Sequence, residues 1–137
     1  MKWVLKEASS GDMVRVALSE LYHYGVYVSD AEIIQFGLPP TRARSADELL
    51  VCATDLDTFL CGKFLEVAEF DRAERRKKRA PDEIVRIARS RIGEGGYQIL
   101  YNNCEHFANE CVFGTHESPL VEQVRKAVRE KLAKKGE

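Results

Sequence analysis

The stretch Asn102-Asn103-Cys104-Glu105-His106-Phe107-Ala108-Asn109-Glu110-Cys111 decides how the rest of the chain is read, because it sets a cysteine where a helix begins. Backbone N–H groups in a helix's first turn lack intrahelical partners and carry the positive end of the macrodipole. A thiolate there is stabilised and its pKa is expected to fall. Cys104 is therefore a candidate nucleophile. Residues three, four and seven positions apart share a helix face, which groups Phe107, Ala108 and Cys111 with Cys104. The same periodicity sends Glu105, His106, Asn109 and Glu110 to the opposite, polar face. His106 is expected to point to solvent and to take no direct part in chemistry. The competing reading of Cys104 is a buried small hydrophobe, a common fate of free cysteine.

A nucleophilic cysteine needs a base that is distant in sequence and adjacent in space. The chain holds three histidines, and His23 lies inside the run Tyr22-His23-Tyr24-Gly25-Val26-Tyr27-Val28. Aromatic and β-branched residues of this kind suit a strand. Ser29-Asp30-Ala31 reads as a turn into Glu32-Ile33-Ile34-Gln35-Phe36, which makes a β-hairpin. With a three-residue loop, Gln35 sits opposite Gly25 and diagonal to His23 on one face. Gly25, lacking a side chain, leaves room for another element to approach, and the Cys104 helix is the expected visitor. Taken alone, His23 also fits a hydrogen-bonded strand histidine and Gln35 an ordinary rim amide.

The pattern Gly11-Asp12-Met13-Val14, then His23-Tyr24-Gly25-Val26-Tyr27-Val28, then Phe59-Leu60 with Gly62, then residues 97–109 around Asn103-Cys104-Glu105-His106-Phe107 resembles the lecithin:retinol acyltransferase-like family. The resemblance covers about residues 10–114. It implies an α+β fold: a small antiparallel β-sheet packed against helices, a circularly permuted papain-like (NlpC-like) arrangement with the catalytic cysteine at a helix N-terminus. It also implies Cys104 as nucleophile, His23 as base, and Gln35 in the third polar position, commonly a second histidine. Glutamine orients an imidazole but cannot titrate, so that role is reduced to orientation.

At 137 residues the chain is expected to form a single domain, and its formal net charge of −1 implies no polyanionic partner. Cys104 and Cys111 stand two helical turns apart, roughly 10 Å, beyond disulfide reach. Cys52 and Cys61 are expected to be buried small side chains. This cysteine usage fits a reducing, cytoplasmic setting. The N-terminal residues lack a signal-like apolar run, and nowhere do about eighteen apolar residues follow one another. Cys104, His106, Cys111 and His116 have knuckle-like spacing, but on a helix His106 points about 160° from Cys104, so shared zinc ligation fails. No metal or other cofactor is expected.

Further strands are expected over Met13–Leu18, Leu49–Ala53 and Lys63–Phe70. Residues 37–48, with Pro39-Pro40, read as a loop bordering the cleft. A helix starts at Pro81, with Asp82 and Glu83 at its positive end and a stripe of Ile84, Ile87, Ala88 and Ile92, and Gly93 stops it. Six of the eight residues from Arg72 to Arg79 are basic, which suits a solvated helix face or loop. No nucleic-acid-binding motif accompanies them. The C-terminal segment 117–134 repeats Val121, Val124, Val128 and Leu132 among lysines and arginines, an amphipathic basic helix. It suits docking on the domain, with peripheral contact at an anionic membrane as the other use.

Together these readings imply an acyl-cysteine thioester enzyme. An acyl group would pass from a lipid-like ester through Cys104 to water, an alcohol or an amine, with Tyr24, Tyr27 and Tyr101 as candidates to line the substrate cleft. An NlpC-like peptidase or amidase would use the same pair of residues. A non-catalytic membrane- or protein-binding module on the same fold is the reading from a different class.

Overall fold

Between Met13 and Phe36 adjacent apolar residues recur, Met13-Val14, Val26-Tyr27-Val28 and Ile33-Ile34, as in strands covered on both faces. The computed structural model describes residues 1–18, 21–37, 49–96 and 103–114. Its strands are β1 (Lys2–Val4), β2 (Met13–Ala17), β3 (Tyr22–Ser29), β4 (Glu32–Phe36), β5 (Val51–Thr54) and β6 (Glu66–Glu69). They form one antiparallel sheet in the order β1-β6-β2-β3-β4-β5. The helices are α1 (Leu56–Leu60), α2 (Arg72–Lys77), α3 (Pro81–Ser90) and α4 (Cys104–Phe113). The fold class is thus α+β, as expected.

The hairpin has the anticipated register, Gly25 opposite Gln35, by a different route. Ser29 already pairs with Glu32, so the loop is the two residues Asp30 and Ala31, and a bulge between Tyr27 and Ser29 restores the alignment. Residues alternate across the sheet. Met13, Val26, Ile34, Phe36 and Val51 meet Ile84, Ala88, Phe107, Ala108 and Cys111 of α3 and α4 on one face. Val14, Val16, Tyr27, Ile33 and Val67 surround Phe59 of α1 on the other. Phe36, Phe59 and Phe107 are wholly buried, each worth about 1.5–3 kcal/mol of apolar burial. The β4 positions Ile33 to Phe36 are all at zero exposure, which places Gln35 in the interior.

The structure corrects several sequence readings. Gly25 is approached by Phe59 of α1, with Phe59 Cε2 at 2.9 Å from where a Cβ would stand, and not by the Cys104 helix. The strands expected over Leu49–Ala53 and Lys63–Phe70 run instead over Val51–Thr54 (β5), displaced toward the C-terminus, and Glu66–Glu69 (β6), shorter at both ends. Helix α3 starts at Pro81 but ends at Ser90, before Ile92, which is exposed. Cys61 is exposed rather than buried, because it takes the left-handed position (φ 49°) that ends α1. All four cysteines are free. The 37–48 loop beyond Gly37 and the C-terminal segment 117–134 lie outside the described residues.

Candidate active site

Asn103 begins the site. Its side-chain Oδ1 accepts from the His106 N–H at 3.0 Å, while the Asn103 N–H donates to His106 Nδ1 at 3.2 Å. This reciprocal cap fixes the first turn of α4 and puts Cys104 at its first position. It also overturns the solvent-facing reading of His106. That side chain is 1% exposed, because it folds back onto the helix start as the third residue of the cap. The Asn-x-x-His spacing was the available signal.

Cys104 is buried, together with Phe107, Ala108 and Cys111, as the helical spacing required. The β3–β4 ladder runs from Gly25–Gln35 to Ser29–Glu32, so Tyr24 lies past its end. Tyr24 stays paired with Arg15 of β2, and hydrogen bonding from the Tyr24, Glu105 and Cys104 backbones acts on the Cys104 sulfur. Burial nevertheless dominates and pushes the Cys104 thiol pKa above its ordinary value. The backbone hydrogen bonds pull it down and the Glu105 carboxylate adds to the rise. The expected lowering by the helix start is therefore outweighed: desolvation of a buried sulfur favours the neutral thiol.

His23 lies on the opposite face of β3, with its ring against Phe59 at a centroid distance of 5.3 Å. Its Nε2 is 2.7 Å from Gln35 Oε1. The Gln35 amide donates at its other end to Thr54 Oγ1 at 2.6 Å and to the Ile33 carbonyl at 3.3 Å. A carbonyl only accepts, so the NH2 end of Gln35 must face Ile33 and the oxygen must face His23. The Nε2 of His23 then carries the hydrogen and Nδ1 holds the lone pair. Burial lowers the His23 pKa from its ordinary 6.5, against the opposing pull of Gln35. Both shifts favour the neutral forms, the thiol of Cys104 and the imidazole of His23.

The structure thus joins His23 directly to Gln35 and sets Cys104 against the backbone of Tyr24, the residue next to His23. Among the described residues no hydrogen bond links His23 to Cys104. Tyr24 is half-buried, edge-on to Trp3 at 5.7 Å, and packs against the core cluster that includes Cys104. Burial and the Glu105 carboxylate raise its hydroxyl pKa, while Arg15 opposes them. Tyr27 is placed elsewhere. It is buried among Val14, Ile33 and Phe59, hydrogen-bonds Asp30 at the hairpin turn, and stands four strand residues, about 13 Å, from His23. Tyr101 lies outside the described residues, as does His116. Thr54 and Phe59, which hold Gln35 and His23, were not singled out as site residues from sequence.

The chain belongs to the lecithin retinol acyltransferase family, whose model matches residues 6–117. Among similar proteins, lecithin retinol acyltransferase of Rattus norvegicus is 29% identical over 139 residues, covering 87% of this chain and 60% of that protein. The human protein of the same name is 26% identical with the same coverage. Phospholipase A and acyltransferase 3 of Mus musculus is 27% identical over 135 residues, covering 91% of this chain and 81% of that protein. The chain spans 60% of the length of the first of these relatives. Among the described residues no helix is long and apolar enough to cross a membrane.

Proposed function

We propose that the chain is a cysteine-dependent acyltransferase or hydrolase that carries an acyl group from a lipid-like ester on Cys104. Its fold is read as a circularly permuted papain-like (NlpC-like) arrangement, in keeping with a histidine strand that precedes the cysteine helix. The observation that carries the proposal is the His23–Gln35 bond: an imidazole held at Nε2 by Gln35, on the residue adjoining Tyr24, whose backbone is the hydrogen-bond partner of the Cys104 sulfur. The acyltransferase and phospholipase names of the relatives supply the substrate class.

In this mechanism the ester carbonyl enters beside Tyr24, and the His23 ring and the sulfur close together past the end of the β3–β4 ladder. The Cys104 sulfur attacks the carbonyl carbon as Nδ1 of His23 takes the thiol proton. The new S–C bond displaces the carbonyl π electrons onto oxygen, where the Cys104 N–H at the helix start stabilises the negative charge. Collapse of this intermediate breaks the ester C–O bond, and His23 returns its proton to the departing alcohol. The acyl-cysteine thioester is then attacked by water, an alcohol or an amine. The acceptor's proton passes to His23, and the sulfur leaves and recovers it. Because both shifts favour the neutral forms, His23 acts as a base during attack rather than as a preformed imidazolium. Gln35 remains uncharged throughout and only orients the ring.

Incubation with phosphatidylcholine vesicles, an acyl thioester and a peptide panel, followed by intact-mass and peptide mapping, tests the class. One hydroxylamine-labile acyl group on Cys104 from the phospholipid is expected. Peptide cleavage without an acyl adduct would favour the NlpC-like amidase chemistry instead. No adduct and no turnover across the panel would leave a binding module.

A further inference from the structure

Gln35 orients His23 only if the amide itself is held one way round. A carboxamide is nearly symmetric in shape, and its two ends impose opposite tautomers on an imidazole. With Oε1 toward His23, Nε2 must donate and Nδ1 keeps its lone pair. With the NH2 end toward His23, Nε2 must accept, and the ring proton moves to Nδ1, where it blocks a base.

Two contacts oppose that flip. The Ile33 carbonyl is 3.3 Å from Gln35 Nε2, a long bond, whereas Thr54 Oγ1 is 2.6 Å away. Thr54 can accept there because its own hydroxyl hydrogen is directed to the Asp55 carbonyl at 3.2 Å. Thr54 is the last residue of β5 and pairs with Ile33 across the β4–β5 ladder, which sets it beside Gln35. Asp55 in turn caps α1, accepting from the Thr58 N–H at 2.8 Å, and α1 supplies the Phe59 ring on which His23 rests. One short segment, residues 54–59, therefore governs both the polar and the apolar support of His23.

We infer that Thr54 is a positioning residue: its hydroxyl locks the Gln35 amide in the orientation that makes His23 the Nε2–H tautomer. The consequence for acyl transfer rests on the function proposed above, but the tautomer itself is a property of the free protein. Removing the hydroxyl leaves one Gln35 N–H without its partner, and the long Ile33 contact is then the one that still sets which end of the amide faces His23.

Long-range 1H–15N correlation spectra of the His23 ring, recorded near pH 7.5 on the full chain, test this directly. The wild type and Thr54→Ser should show protonated Nε2 and unprotonated Nδ1. Thr54→Val should show the Nδ1–H form or a mixture, and thioester formation on Cys104 should fall by about 10²-fold with KM little changed. Thr54→Ala gives the same readout if the valine variant misfolds. Retention of the pure Nε2–H form in both hydroxyl-free variants would overturn the inference. A tautomer shift in a protein whose wild type acylates nothing would sustain the lock and count against the acyl-transfer function alone.

Discussion

Replacing Gly25 with alanine is expected to injure stability and the site together, through one side chain. The new methyl would stand 2.9 Å from Phe59 Cε2, 3.0 Å from Ile33 Cγ2 and 3.2 Å from the Ile34 carbonyl oxygen. Relaxed carbon–carbon contacts are about 3.5–4.0 Å, so Phe59 must retreat by at least half an ångström. It is wholly buried, so any retreat presses on its core neighbours. Overpacking of this kind costs about 1–3 kcal/mol. Alanine regains about 0.4–1 kcal/mol by restricting the unfolded chain, which leaves a net loss of up to about 2.6 kcal/mol. The effect should appear in urea unfolding as a lower midpoint with an unchanged slope. Because His23 lies against Phe59, the retreat also displaces the imidazole, so acylation of Cys104 should fall beyond what the unfolded fraction explains. Adding Phe59→Leu to Gly25→Ala should recover part of the stability, because the smaller side chain vacates the space. A Gly25→Ala protein as stable and as active as the wild type would refute this reasoning.

Asn103→Ala removes the cap of α4 and should cost about 0.5–2 kcal/mol while slowing acylation of the loosened first turn, measured by urea unfolding beside thioester formation. The lowered His23 pKa means the native state binds fewer protons than the unfolded chain just below pH 6.5. Stability should therefore decline as pH falls from about 6.5 and level off below the native His23 pKa, and His23→Gln should remove that part of the slope in pH-dependent unfolding. The raised Cys104 pKa predicts that iodoacetamide labels this residue slowly at neutral pH and faster as pH climbs past the ordinary thiol range. A fast plateau in mild acid would instead mark a thiolate–imidazolium pair.

Much of the site was readable from local pattern. The aromatic and β-branched run around His23 gave the strand, and hairpin register carried Gln35 opposite Gly25 even though the loop proved shorter and a bulge made up the difference. Helical periodicity gave the buried face of Cys104. It failed for His106, because side-chain hydrogen bonding at a helix start overrides the face that spacing assigns. The identity of Gly25's neighbour and the part played by Thr54 depend on where α1 and β5 return to the sheet, after a long connection from β4. No local pattern specifies that pairing. The direction of the thiol pKa was also hidden, because the helix start is visible in sequence and the enclosure of the sulfur is not.

The most direct test is the single-turnover rate at which Cys104 is acylated by a soluble short-chain ester, followed by intact mass in the wild type, His23→Ala and Cys104→Ala. His23→Ala should slow adduct formation by about 10²- to 10⁴-fold, and Cys104→Ala should abolish it. An acylation rate indifferent to His23, or an adduct that persists without Cys104, would show that these two residues do not form the reacting pair.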